Sequence, residues 1–243
     1  MLRLVTCFFY MAGYLIYSVP TLRKMRKLSS EIPVEERDRR IHDMPKRWSR
    51  TIMKITGSKI EVVGQEKIPA GPVVFISNHE GDFDVPTLLG FIEKPFGFIS
   101  KIEVKKVPII SSWMEVINCV FLDRSDRRQA IRSIREGAEI LRQGHSLVVF
   151  PEGTRSKGGE MGEFKSGSFR LATDAKVPII PVCIKGTSEV FEKNGRLIKP
   201  AKIKVTICSP IGPNVYENMN AKELAAHIEG IIRKELETLS NAS

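Results

Sequence analysis

The chain has no framework of paired cysteines. Its four, Cys7, Cys119, Cys183 and Cys208, are scattered over 243 residues, and no two form a CxxC pair. That excludes a disulfide-stapled fold and a cysteine zinc site. Three of them sit in apolar runs, so buried, reduced thiols in a cytosolic compartment are expected. Histidines also number four. Neither an HExxH segment nor a clustered His/Asp pattern occurs, and no metal or other cofactor is expected. No GxxxxGK[ST] is present and no GxGxxG follows an apolar run, which excludes nucleotide binding by those two routes. The absence of a GxSxG elbow disfavours a serine nucleophile. There is no internal repeat and no low-complexity tract. Hydrophobic residues at 42% and charged residues at 27% are those of an ordered globular chain.

What the chain has in excess is positive charge, a formal +10 at pH 7. A basic surface draws anionic partners over long range. Nucleic acid, anionic lipid and acidic carriers all carry the right sign, and charge alone does not choose among them. Its distribution does. The run from Leu4 to Val19 carries no charge, and Arg23 to Arg50 is rich in Arg and Lys. Sixteen helical residues reach roughly 24 Å, against a hydrocarbon core of about 30 Å, so the segment either spans a thinned bilayer or embeds in its face. No small-x-small cleavage site follows it, which disfavours a signal peptide. Positive residues beside an apolar segment mark the cytoplasmic side and bind anionic lipid. A two-helix membrane attachment over residues 1–50, on the cytoplasmic face of the cell membrane, is the expectation. Nucleic acid is disfavoured, because the charge lies beside an apolar anchor and not on a recognition helix or an aromatic-studded sheet.

From residue 51 to 243 the pattern is that of one α/β domain. Short apolar runs at 59–63, 73–77, 96–100, 119–123, 146–150, 179–184 and 202–208 read as strands, and their continuous β-branched character predicts cover on both faces. Helical stretches alternate with them. Ser125 or Asp126 caps one in which Ile131, Ile134, Ala138 and Leu141 form a stripe ended by Gly144. Asn220 and Glu223 resemble a capping box opening a last helix. The fold expected is α/β, a largely parallel mixed sheet flanked by helices.

Three strand ends carry the residues suited to chemistry. Asn78-His79-Glu80-Gly81-Asp82-Phe83-Asp84 follows the second apolar run, where sites gather in open α/β sheets. On one straight helix His79 and Asp84 would face about 140° apart. A turn through Gly81 brings them together, with Asp84 in the first turn of the next helix. The carboxylate then holds one ring nitrogen and leaves the other to take a proton from an alcohol. Arg124 ends the run Val120-Phe121-Leu122-Asp123 and presents a planar fork suited to phosphate. Phe150-Pro151-Glu152-Gly153-Thr154-Arg155-Ser156 offers a conformationally free glycine, an arginine and two hydroxyls as an anion cradle.

With these residues in order, the chain resembles the glycerolipid acyltransferase family typified by bacterial 1-acyl-sn-glycerol-3-phosphate acyltransferases, over residues 55–215. His79 to Asp84 matches its HxxxxD motif, and Asn118 to Arg124 is similar to its second motif, with Asn118 where glycine is usual. Phe150 to Ser156 matches the third and Val177 to Val182 the fourth. Lys101-Ile102-Glu103-Val104 with Pro108, and Phe164-Lys165-Ser166-Gly167, resemble two further family elements. The resemblance implies that His79, oriented by Asp84, deprotonates the acceptor's free hydroxyl. That oxygen then attacks the thioester of acyl-CoA or acyl-carrier protein, and lysophosphatidic acid becomes phosphatidic acid. It implies Arg124 and Arg155 on the acceptor phosphate, Lys101 on phosphate or on developing oxyanion charge, and Glu152, Gly153 and Thr154 shaping that pocket. Glycerol 3-phosphate or another lysophospholipid is the alternative acceptor. The non-enzymatic alternative is a membrane-surface binding protein with a vestigial site.

Overall fold

The computed structural model describes residues 1–241. Helices α1 (Leu2–Met25) and α2 (Val34–Thr56) precede strand β1 (Lys59–Val63) and β2 (Val74–Ser77). Then come α3 (Asp84–Phe91), β3 (Gly97–Lys101), α4 (Ile110–Val116), β4 (Val120–Leu122), α5 (Arg127–Arg142) and β5 (Leu147–Val149). The chain closes with α6 (Arg170–Ala175), β6 (Ile179–Lys185), β7 (Lys202–Ile207), α7 (Pro213–Tyr216) and α8 (Ala221–Asn241). All seven expected strands form, within a residue or two of their apolar runs.

The strands make one sheet in the order β1-β7-β6-β2-β5-β3-β4. Every neighbouring pair is parallel except β6 with β7. Parallel neighbours need crossovers, which α3, α4, α5 and α6 supply. β2 and β5 are buried along their whole length and β6 up to its last residue, Lys185, as continuous apolar runs require. Alternation along β2 sends Phe75 to one face, with Met53, Leu88, Phe96 and Phe98. Val74 and Ile76 face the other layer, with Leu141, Phe169, Leu224, Ile228 and Ile232.

One helix differs in detail from the sequence reading and another agrees with it. Asp126 caps α5, accepting the amides of Arg128 and Gln129, but Ile131 stands 37% exposed. The buried stripe runs instead through Ser133, Gly137, Ala138 and Leu141. Gly137 sets this rotation, because a Cβ there would meet Leu171 Cδ2 at 2.5 Å. The Asn220–Glu223 box closes both ways, at 2.8 and 3.0 Å.

The N-terminal helices play unequal parts. In α1, Phe8, Phe9, Ile16 and Tyr17 are exposed, and the helix is long and apolar enough to cross a membrane by length and composition. Two polar contacts tie its middle to the body: Tyr14 donates to the Met44 carbonyl at 3.2 Å and Trp113 Nε1 to Ser18 Oγ at 2.8 Å. Residue 50, the expected boundary, falls inside α2. One face of that helix is basic, and the other buries Ile41, His42, Ile52 and Met53. His42 is held between the carbonyls of Asp38 and Phe96, each at 2.8 Å.

Candidate active site

Parallel strands end on one edge, so the residues after β2, β3, β4, β5 and β6 converge there. Asn78 closes β2 by exchanging two 2.8 Å hydrogen bonds with the backbone of Ile184 in β6. The next residue, His79, is thereby aimed out of the sheet. Its Nδ1 lies 2.6 Å from Asp84 Oδ2. Asp84 opens α3, and its Oδ2 also accepts the Gly81 amide at 3.0 Å. The turn expected through Gly81 is there, for a reason of packing: a Cβ on Gly81 would strike the Glu192 carboxylate at 2.5 Å.

Asp84 is fully buried, while the His79 side chain keeps 18% exposure. A buried carboxylate on Nδ1 fixes the tautomer with Nδ1 protonated and leaves Nε2 as the lone-pair nitrogen. The ring is held flat against Phe150, centroids 4.1 Å apart and planes 17° apart. The other carboxylate oxygen of Asp84 accepts the Thr187 hydroxyl. The dyad is therefore held at both ends.

The third motif is laced to the first by backbone. Ser156 and Lys157 amides donate to the carbonyls of His79 and Glu80 at 2.8 and 2.9 Å. Glu152 is 5% exposed and turned inward, accepting the amides of His79 at 2.6 Å and Gly162 at 2.7 Å. Burial raises its pKa, and the two amides act against that rise. Glu80 braces the other side, accepting the amides of Gly186 and Ser188 and the Thr187 hydroxyl. Burial raises its pKa too, helped by the nearby charge of Asp84.

His79 opens onto a cavity of about 650 Å³. Lys101, Arg124 and Arg155 line it, with Gly153 and Thr154. So do the apolar side chains of Phe98, Leu89, Val85, Trp48 and Trp113, and Leu15 of α1. Six of the eight expected site residues thus line one space, and Asp84 and Glu152 stand behind its wall. Arg155 is ion-paired with Asp82, whereas Arg124 and Lys101 make no ion pair among the described residues. Asn118, which stands at a position of family glycine, adopts φ 59°, a conformation asparagine tolerates better than most residues.

The sequence reading passed over Thr187, Glu80, Glu192 and the stacking ring of Phe150. Thr187 and Glu192 lie on the segment after β6, and Glu80, though beside His79, finds its partners Gly186, Thr187 and Ser188 there, so local spacing carries no sign of these roles. Among the described residues no group of three or more His, Cys, Asp or Glu side chains is placed to hold a metal ion.

A carboxylate-braced imidazole with one free nitrogen, in a cavity lined by both cationic and apolar side chains, has the parts that general-base chemistry on an amphipathic anion requires. Comparison with known proteins makes this specific. The family model described as Acyltransferase matches residues 59–185, and the chain belongs to that family. It is 32% identical over 226 residues to the Mycoplasma pneumoniae protein named "Probable 1-acyl-sn-glycerol-3-phosphate acyltransferase", covering 88% of this chain and 83% of that one. Over 185 residues it is 32% identical to the 1-acyl-sn-glycerol-3-phosphate acyltransferase of Pseudomonas aeruginosa, covering 72% and 71%. The crystal structure of the 1-acyl-sn-glycerophosphate acyltransferase PlsC from Thermotoga maritima superposes with a TM-score of 0.85 at 28% identity, over 98% of this chain and 95% of that one.

Proposed function

We propose that this protein transfers a fatty acyl chain to the sn-2 hydroxyl of lysophosphatidic acid, giving phosphatidic acid in phospholipid biosynthesis. The observation that carries the reading is the His79–Asp84 pair at 2.6 Å, opening onto a cavity lined by both cationic and apolar side chains. The names of the full-length relatives agree with it.

His79 Nε2 takes the proton of the acceptor hydroxyl as its oxygen bonds to the thioester carbonyl carbon of acyl-CoA or acyl-carrier protein. Asp84 balances the imidazolium that forms. As the tetrahedral centre collapses the carbon–sulfur bond breaks, and the leaving thiolate takes the proton from His79. No covalent acyl-enzyme is needed. Lys101, lining the cavity, offsets oxyanion or phosphate charge. Arg124 and Arg155 supply the positive charge for the acceptor phosphate. Gly153 leaves room beside Arg124, Thr154 adds a hydroxyl, and Glu152 holds the loop in shape. The acyl chain follows the apolar side chains toward α1. Residues 1–50 attach the enzyme to the cytoplasmic face of the membrane through α1 and the basic face of α2.

The test uses the purified full chain in liposomes, with labelled lysophosphatidic acid and either acyl donor. Conversion to phosphatidic acid is expected, faster than acylation of glycerol 3-phosphate. Failure with both donors overturns the reading.

A further inference from the structure

We propose that the exposed face of α5 around Arg128, Arg132 and Arg135 docks an acidic acyl-carrier protein, the donor that delivers the acyl chain. The proposal deepens the reading above and rests on it.

Arg128, Ile131, Arg132 and Arg135 follow the spacing i, i+3, i+4, i+7, so they share one face over two turns of α5. All four are exposed, because the opposite face of the helix buries Ser133, Gly137, Ala138 and Leu141. None of the three arginines has an ion-pair partner among the described residues. Glu139, on the next turn, is taken up by Arg142 at 3.0 Å, and Glu136 points roughly 90° away from the middle of the strip. Helix stability does not account for this charge. Cations at a helix N-terminus oppose the helix dipole, yet Arg127 and Arg128 fill the first turn of α5, which holds no acidic residue. Ile131, 37% exposed among the arginines, gives the strip an apolar centre inside a charged rim, the composition of a contact face.

The strip begins beside the active site. Arg124, which lines the cavity, precedes Arg128 by four residues, and α5 rises only about 10 Å from Arg128 to Arg135. A carrier seated there holds its thioester-bearing arm next to the cavity that contains His79. An anionic bilayer is met elsewhere. Helices α1 and α2 pack on one face of the sheet through Cys7, Ile41 and Met53, whereas α5 packs on the other through Leu141. The strip therefore lies on the layer opposite the helices that attach the chain to a membrane. It is also convex, on the outside of a helix, whereas a free nucleotide calls for a concave site. Three guanidinium forks along one helix face match carboxylates along another.

Steady-state kinetics of the full chain in liposomes test this, with acyl-carrier protein and acyl-CoA of the same chain length as alternative donors. In R128Q/R132Q/R135Q the KM for acyl-carrier protein should rise roughly 3- to 100-fold, the product of three exposed ion pairs worth about 1.4- to 5-fold each. The KM for acyl-CoA, the KM for lysophosphatidic acid and kcat should stay within about twofold, since none of the three arginines lines the cavity. Added salt should raise the wild-type KM for the carrier and leave that of the variant nearly flat. R132E alone, melted beside the wild type, should raise the carrier KM as well. An unchanged carrier KM in these variants, an equal rise in the acyl-CoA KM, or transfer from acyl-CoA with none from the carrier overturns the proposal and leaves the functional reading standing. Loss of binding to phosphatidylglycerol vesicles in the triple variant overturns it too, by assigning the strip to the membrane. Should neither donor acylate lysophosphatidic acid, the functional reading fails separately. Calorimetry with acyl-carrier protein then tests the strip itself. Binding weakened in the triple variant supports it, and binding that is absent in the wild type or equal in both overturns it.

Discussion

Replacing Asp84 with Asn separates charge from shape at the centre of this site. The asparagine oxygen can take the place of Oδ2, accepting His79 Nδ1–H and the Gly81 amide at the 2.6 and 3.0 Å now seen. Its NH2 then faces Thr187, whose hydroxyl turns from donor to acceptor. The packing survives and only the negative charge is lost. Asp84 is fully buried, so solvent screens its charge little. For unit charges about 4 Å apart at an effective dielectric of about 20, the attraction between carboxylate and imidazolium is ~4 kcal/mol. That attraction exists only when His79 has taken the proton, so it is lost from the transition state and not from the ground state. A drop of about 10³-fold in kcat follows, with both KM values near those of wild type. The assay is turnover of labelled lysophosphatidic acid at saturating donor and acceptor, with a thermal melt to establish folding. A folded Asp84→Asn variant within about tenfold of wild-type kcat would refute the electrostatic role assigned to Asp84.

Thr187→Val keeps the volume of the side chain and removes the hydroxyl that Asp84 and Glu80 share. It should cost about 1–3 kcal/mol of stability and about tenfold in kcat; a variant unchanged in both melting and turnover would show that Thr187 does not hold the dyad. Glu192 offers a pH test. Burial holds its carboxyl above the ordinary range, so the folded state keeps the proton longer than the unfolded state. The wild type therefore loses stability as pH rises from the ordinary glutamate pKa through the raised one. Glu192→Gln is neutral throughout and still accepts the Asp82 amide, so its melting temperature should gain on wild type across that window. A constant or shrinking difference would contradict the burial argument.

The sheet was legible in the sequence because its core strands are covered on both faces, and coverage writes itself as unbroken runs without charge, rich in Val and Ile, such as Val73 to Ile76 and Ile179 to Ile184. The His79–Asp84 pair was legible because its partners lie five residues apart and a glycine stands between them. Thr187, Glu80 and Glu192 were not, since a hydrogen bond between residues 103 or more positions apart leaves no local spacing to read. Ile131 misled because its side chain is apolar and at helical spacing, while Gly137 turns the helix toward its other side. Basic and buried residues interleave along α2, so charge drew attention to one face and hid that Met53 and His42 belong to the core.

The central claim is that His79 Nε2 is the base that activates a lipid hydroxyl. Its most direct measurement is acyl transfer to lysophosphatidic acid by wild type and His79→Ala side by side, in the same liposomes, with melting curves for both. The account predicts phosphatidic acid from the wild type alone, from two proteins that melt alike. Full activity in folded His79→Ala would contradict it.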